Sequence, residues 1–218
     1  TDMGVNMAGN CIVDDEACRE ASRSEIIRRY FKALCDHKTG KNVDSEIFKL
    51  ELLLNQAGLA VGDRAVEKQA HAAAERTGGA PAAAIELPDG TVVTGKNGPL
   101  LGAASSALLN ALKKLAGIDH EIDLVSARAI EPIQTLKTNY LGSRNPRLHT
   151  DEILIALSSS AAENETAAVA LQQLSKLKGC DMHSTVILSS VDTDTIKRLG
   201  MYLTCEPAYE QEDRKYHK

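Results

Sequence analysis

The chain has 218 residues, with 25 Lys and Arg against 30 Asp and Glu, a formal charge of -5, and 43% hydrophobic residues. That composition suits one large or two small cored domains and carries no basic excess to draw it to nucleic acid. Five Tyr, two Phe and no Trp offer too few ring faces for a single-strand groove or a cation cage, and no apolar run approaches the roughly 18–20 residues of a membrane span.

The first helical pattern runs from about Asp14 to His37, with Ile27, Tyr30, Phe31 and Leu34 on one face. Ser22 and Glu25 have capping-box spacing, and Asp14 or Asp15 offers an earlier start. A second helix is expected over Asp44 to Ala57, burying Ile47, Leu50 and Leu54 and closed by Gly58. A third, Ala-rich helix follows from Asp63 to Arg76, and the Gly78-Gly79-Ala80-Pro81 stretch is the expected internal boundary. The organisation read from this is a helical subdomain over 1–80 and an α/β domain with a mixed sheet over 81–218.

Beyond that boundary, Ala83 to Leu87 and Thr91 to Thr94 flank Pro88-Asp89-Gly90 and predict a β-hairpin. A polar loop, Gly95 to Gly98, leads to a helix expected from Pro99 to Ala116. Ile122 to Ser126 reads as a short buried strand. Arg128 to Tyr140 reads as a helix with Pro132 in its first turn, where a missing N–H costs little. Thr150 is expected to cap a helix carrying Ile153, Leu154 and Leu157, and Asn164 to cap the next, which stops at Gly179. Thr185 to Leu188 is the clearest buried-strand pattern, Asp192 starts a short helix, and Tyr202 to Cys205 is a last strand. Strands alternating with helices predict an α/β fold (α+β overall): a helical unit, then a three-layer domain whose mixed sheet includes one hairpin.

The five cysteines, Cys11, Cys18, Cys35, Cys180 and Cys205, are odd in number and contain no CxxC pair. A disulfide framework is therefore not expected, and a reducing, cytoplasmic location is. The opening Thr1-Asp2-Met3-Gly4 shows no signal-peptide pattern and reads as the interior of a longer polypeptide.

Polar chemistry concentrates in Gly142 to Glu152, where Arg144, Arg147 and His149 directly precede a helix start. Free amides and the helix dipole favour an anion there, and Arg can grip phosphate or carboxylate in bidentate fashion. The expected anion-binding set is Arg144, Arg147, Thr150 and Lys96, with His149 the candidate proton carrier and the catalytic residues otherwise unknown. The competing reading is a solvated loop whose arginines pair with Asp151 and Glu152. Thr94 to Ser106, glycine-rich with Lys96, has the strand-to-helix layout of a phosphate cradle but lacks the order G-x-x-x-x-G-K-[ST]. Cys180, His183, Cys205 and His217 lack the spacing of a zinc site, so no metal is expected, and the cofactor stays unknown. Ser158 to Ser160 forms no G-x-S-x-G elbow, and Cys11 reads better as a buried thiol than as a nucleophile.

The strings TDMGVNMAGNCIVDDEACREAS, PLLGAASSALLNALKKLAGID, LGSRNPRLHTDEILIAL and RLGMYLTCEP resemble an uncharacterised bacterial family filed as a domain of unknown function. Some of its members carry the label ATP-dependent peptidase. The resemblance runs along the whole chain and implies that it is the C-terminal part of a polypeptide about twice as long. The upstream half of such members has a glycine-rich segment similar to a P-loop, which has no counterpart here. Cys18 and the stretch Ser159 to Glu165 depart from the family's wording. The resemblance implies that upstream half as a partner; the residues themselves lead to the expectation of a homo-oligomer and an anionic small molecule, with no nucleic acid and no membrane. The two functions weighed are an enzyme fragment contributing an anion site and a structural module that drives assembly; a peptidase comes third, for want of metal and nucleophile motifs.

Overall fold

Asp14 opens the first helix by accepting the Ala17 amide at 2.9 Å in the computed structural model, which describes residues 14–62 and 64–210. Helix α1 (Asp15–Lys38) and helix α2 (Asp44–Ala57) follow, the second closed by Gly58 in the left-handed conformation at φ 61°. Their apolar faces meet through Ile27, Phe31 and Leu54, with Tyr30 and Leu59 against the cluster. Ser22 lies inside α1, so the earlier of the two expected starts is the one used.

The contacts divide the chain after Val61, not near residue 80. Helix α3 (Ala65–Arg76), assigned by sequence to the helical unit, packs on the sheet instead. Its Val66 and Ala70 bury against Ala84 and Val92, and such small side chains let helix and strand approach closely.

Strands β1 (Ala82–Glu86) and β2 (Val92–Lys96) form the expected hairpin, with the Leu87 amide donating to Thr91 O at 2.8 Å. Helix α4 (Ala103–Ala116) lies on the other face, where Ala83 and Ile85 join Ala107, Leu108 and Leu112 in the main core. It starts later than expected because Leu101 bridges Leu148 in parallel and Gly102 takes the N-cap position. Helix α5 (Ala127–Thr135) widens into a π-helical turn over Leu136–Tyr140. Pro132 stands in its interior, not in its first turn, and deprives the Arg128 carbonyl of its donor. Helix α6 (Thr150–Ser160) and helix α7 (Glu165–Leu171) follow, the latter capped by Asn164 and tightening to a 3₁₀ turn over Gln172–Leu177.

Strand β3 (Asp181–Ser184), helix α8 (Ser190–Arg198) and strand β4 (Tyr202–Cys205) complete a four-stranded sheet of order β2-β1-β3-β4. β1 is antiparallel to both neighbours and β3 pairs β4 in parallel. The result is the expected mixed three-layer arrangement, α3 on one face and α4 with α5 to α8 on the other.

Two expected strands are not strands. Leu124 and Val125 are buried as predicted, but they anchor a loop to the main core and pair with no strand. The ladder expected at Thr185 to Leu188 ends one residue earlier, at Ser184. β1 begins at Ala82, whose carbonyl and amide both meet Thr185, and the Ser184 hydroxyl donates to Val186 O at 2.8 Å, bending the chain out of the sheet. This displacement releases Val186 to Ser189 to line a cavity.

Among the described residues, no helix is long and apolar enough to cross a membrane. No disulfide joins any two of the described cysteines, Cys18, Cys35, Cys180 and Cys205; Cys11 and His217 lie outside the described residues.

Candidate functional site

The guanidinium-bearing loop before α6 and the glycine-rich loop before α4 are stitched together by backbone and side chains. The Leu148 amide donates to Leu100 O at 2.9 Å, the Ser105 hydroxyl to Leu148 O at 2.9 Å, and Gln134 Nε2 to both Pro99 O and Pro146 O. Lys137, buried in the π-helical turn, donates through Nζ to Arg147 O at 2.7 Å and to Glu152 Oε2 at 2.8 Å. These bonds replace regular structure as the constraint on the loop.

Both loops open onto one cavity of about 610 Å³. Arg144, Arg147 and His149 line it from one side, Gly102 to Ser105 from another, and Val186 to Ser189 with Asp192 from a third. The last segment follows β3, and Tyr209 and Glu210, which also line it, follow β4, so the cavity lies beyond the carboxyl ends of the two parallel strands. Open α/β sheets bind ligands at that edge, because helices start there and turn their free amides towards it.

His149 is the best-defined chemical group. Its Nδ1 lies 2.9 Å from Asp192 Oδ2, which also accepts the Ser189 hydroxyl at 2.8 Å, while Asp192 Oδ1 accepts the Thr150 amide at 2.8 Å. An ionised carboxylate has only acceptors, so Nδ1 carries the proton of this pair and Nε2 is left to exchange one. The hydrogen bond to Asp192 raises the His149 pKa above its usual 6.5, outweighing burial. Burial acts to raise the Asp192 pKa, but the hydrogen bond and charge of His149, the Thr150 amide and the Ser189 hydroxyl together hold it below the usual carboxylate value. Among the described residues, no hydroxyl or thiol hydrogen-bonds Nε2, and Ser189 gives its proton to Asp192. The arrangement is an imidazole–carboxylate pair without the attacking hydroxyl or thiol that completes a nucleophilic triad.

The expected anion set is brought together only in part. Arg144 and Arg147 share the cavity, but Arg147 also donates through Nε to Gly98 O at 3.0 Å and through NH1 to Glu210 at 2.9 and 3.1 Å. Neither Asp151 nor Glu152 is that partner: Glu152 accepts from Lys137 and from the His149 amide, while Asp151 accepts the Glu152 amide. Thr150 is wholly buried and off the cavity wall, with its amide already committed to Asp192, and the N-cap position belongs to His149. Lys96 is exposed and lines a different groove of about 630 Å³.

Sequence reasoning missed Asp192 as a site residue, along with Ser189, Asn97 and Glu210. Ser189 and Asp192 do have N-terminal capping spacing, visible in Ser189-Ser190-Val191-Asp192, but nothing local directs Asp192 to His149. Asn97 accepts the Ala103 amide at 2.7 Å and donates to Glu210 Oε1 at 2.9 Å, tying the α4 start to the chain after β4.

Metal-ligand geometry occurs elsewhere. Among the described residues, His71, His183 and Glu206 bring three ligand atoms within 4.8 Å of one another. Of the residues weighed for zinc from sequence, only His183 belongs to this group.

Comparison with known proteins follows the same division of the chain. A family model described as "Domain of unknown function DUF1846, C-terminal" matches residues 62–215, and its N-terminal companion matches residues 1–58. Among curated relatives, UPF0371 proteins of Corynebacterium glutamicum and Corynebacterium efficiens are 55% and 56% identical over 211 residues, 97% of this chain and 42% of theirs. A UPF0371 protein of Streptococcus thermophilus is 50% identical over 218 residues, all of this chain and 44% of its own. The chain thus spans less than half the length of these relatives. With its larger unit matched almost end to end by the C-terminal model, the chain belongs to the DUF1846 family.

Proposed function

We propose that the cavity beyond β3 and β4 binds an anionic small molecule, a phosphate or carboxylate ester or acid, and that His149 moves a proton to or from it. The observation that carries this reading is an imidazole held by a buried carboxylate at 2.9 Å on the wall of a cavity that two arginines also line. Arg144 and Arg147 would hold the anion, and Asp192 would fix the His149 tautomer and stabilise its charged form. Glu210 stands where a ligand carboxylate or phosphate would sit against Arg147, so binding exchanges one anion for another there. Lys96 and Thr150 have no direct part, since neither lines the cavity. In this reading the chain contributes an anion site to an enzyme completed by the upstream part of the same polypeptide.

Thermal-shift screening of the full-length protein against inorganic phosphate, sugar phosphates, nucleotides and dicarboxylates tests it. A ligand at about a hundred times its Kd adds about 2.7 kcal/mol to apparent stability. The double variant Arg144→Ala, Arg147→Ala should lose that shift, and an undiminished shift would remove the arginines from the proposal.

A second reading, an assembly module, draws on helix α2, where Phe48 and Leu52 stand one turn apart at 62% and 46% exposure. An apolar pair at that spacing suits a helix-packing face. Light scattering of the full-length protein with and without Phe48→Glu decides it: an unchanged mass dismisses the reading.

A further inference from the structure

The face of the sheet covered by α3 holds a polar group that the cavity does not use. In the strand register His183 on β3 stands beside Ala84 on β1 and Thr204 on β4, so all three side chains share one face. Helix α3 places Glu67 and His71 four residues apart, one turn along the same side. Glu206, just beyond β4, is fixed by its amide donating to Ser184 O at 2.9 Å. Its Oε1 lies 3.0 Å from His71 Nε2 and 3.4 Å from His183 Nε2.

We propose that His71, His183 and Glu206 form a binding site for a first-row divalent cation of the zinc class. Two imidazole nitrogens and one carboxylate oxygen are the donor set of many three-ligand zinc sites, and imidazole selects such metals over calcium or magnesium. The geometry agrees. Ligands bonded at about 2.0–2.1 Å in a tetrahedron stand about 3.3 Å apart, close to two of the observed spacings. The third pair, the two histidine nitrogens, lies within 4.8 Å and closes by a small rotation of the half-exposed His71 ring.

The surroundings supply the orientation that metal-bound histidines need. The Thr204 hydroxyl donates to Met182 O at 3.2 Å, so at 2.9 Å it accepts the Nδ1–H of the wholly buried His183. That bond selects the tautomer with a lone pair on Nε2, pointed towards Glu206, and two electron-rich atoms at 3.4 Å call for a cation between them. A metal ion meets that need. Glu67, Asp181 and Glu206 bring carboxylates to this face beside the guanidinium of Arg64, and Glu67 is 1% exposed with no hydrogen-bond partner for Oε1, only Arg64 at 3.5 Å. With three protein ligands and a half-exposed His71, the fourth position of the metal would face solvent.

The test uses the full-length protein, purified without chelators, assayed for bound metal and then stripped and titrated with zinc against a chromogenic chelator. One zinc per chain is expected, and cobalt in its place should give the intense visible bands of a tetrahedral N/O site. His71→Gln and Glu206→Gln should weaken zinc by about 100-fold or more, and Thr204→Val, which frees His183 from its orienting bond, by about 10-fold. His120→Gln, at an exposed histidine outside the group, should change nothing. Because His71 is half exposed, its substitution leaves the buried sheet face intact, and circular dichroism checks that the variant folds. Zinc binding that persists unaltered in His71→Gln, or wild-type protein that takes up neither zinc nor cobalt, overturns the proposal.

Discussion

Removing the Asp192 carboxylate is the sharpest probe of the candidate site. Its side chain is 11% exposed and accepts three hydrogen bonds, from His149, Thr150 and Ser189. Asp192→Ala leaves a half-buried imidazole and a buried amide without their acceptor, a loss of about 3–5 kcal/mol. The share belonging to His149 is isolated by a double-mutant cycle with His149→Ala, and a charge-assisted bond of this kind couples by about 1.5–3 kcal/mol. The pH dependence has a definite sign. The His149 pKa is raised above 6.5 in the folded state, so its contribution is complete below that value and is lost as pH rises through the higher folded one. The Asp192 pKa is held below 3.8, so its contribution is complete above that value and is lost as pH falls through the lower folded one. Urea unfolding near pH 6 should therefore show the full coupling, which should fall as pH rises through the folded His149 pKa and the imidazole facing the carboxylate becomes neutral. A coupling under ~0.5 kcal/mol near pH 6, or one that grows as pH rises, would refute the reasoning.

Gly95→Ala should be severely destabilising: its β-carbon would lie 2.1 Å from Ala107 N, 2.6 Å from Ser106 C and 2.7 Å from Ala103 O, all backbone of α4. Overpacking of this kind costs about 1–3 kcal/mol or more, whereas Gly98→Ala, which meets nothing within 4 Å, should stay within about 0.5 kcal/mol by the same unfolding assay. Lys137→Met keeps the buried stem but removes the bonds to Arg147 O and Glu152, for about 3 kcal/mol. Limited proteolysis should then cut within residues 142–147 faster than in the wild type, and an unchanged rate would show that other bonds hold the loop.

The elements legible in sequence are those decided by neighbours a few residues away. Asn164 caps α7, Gly58 ends α2 and Pro88-Asp89-Gly90 turns the hairpin, each through a hydrogen bond or backbone angle spanning a handful of positions. The misplaced strands show the limit of that reading. Ile122 to Ser126 and Thr185 to Leu188 have the apolar, β-branched character of strands, and apolarity reports burial without naming a pairing partner. Polar Asp181 to Ser184 forms the ladder because β1 and β4 stand beside it.

The site divides the same way. Its basic loop, Arg144 to His149, stood out from composition alone, and so did the glycine-rich turn that faces it across the cavity. The partners of these groups lie far along the chain, Asp192 for His149 at 43 residues and Glu210 for Arg147 at 63, and outside the cavity Glu206 for His71 at 135. Capping and periodicity are local energies and can be read from one segment. The protonation of a histidine or the partner of a guanidinium depends on which charges the fold carries to within about 4 Å, and that proximity exists only once the sheet has assembled.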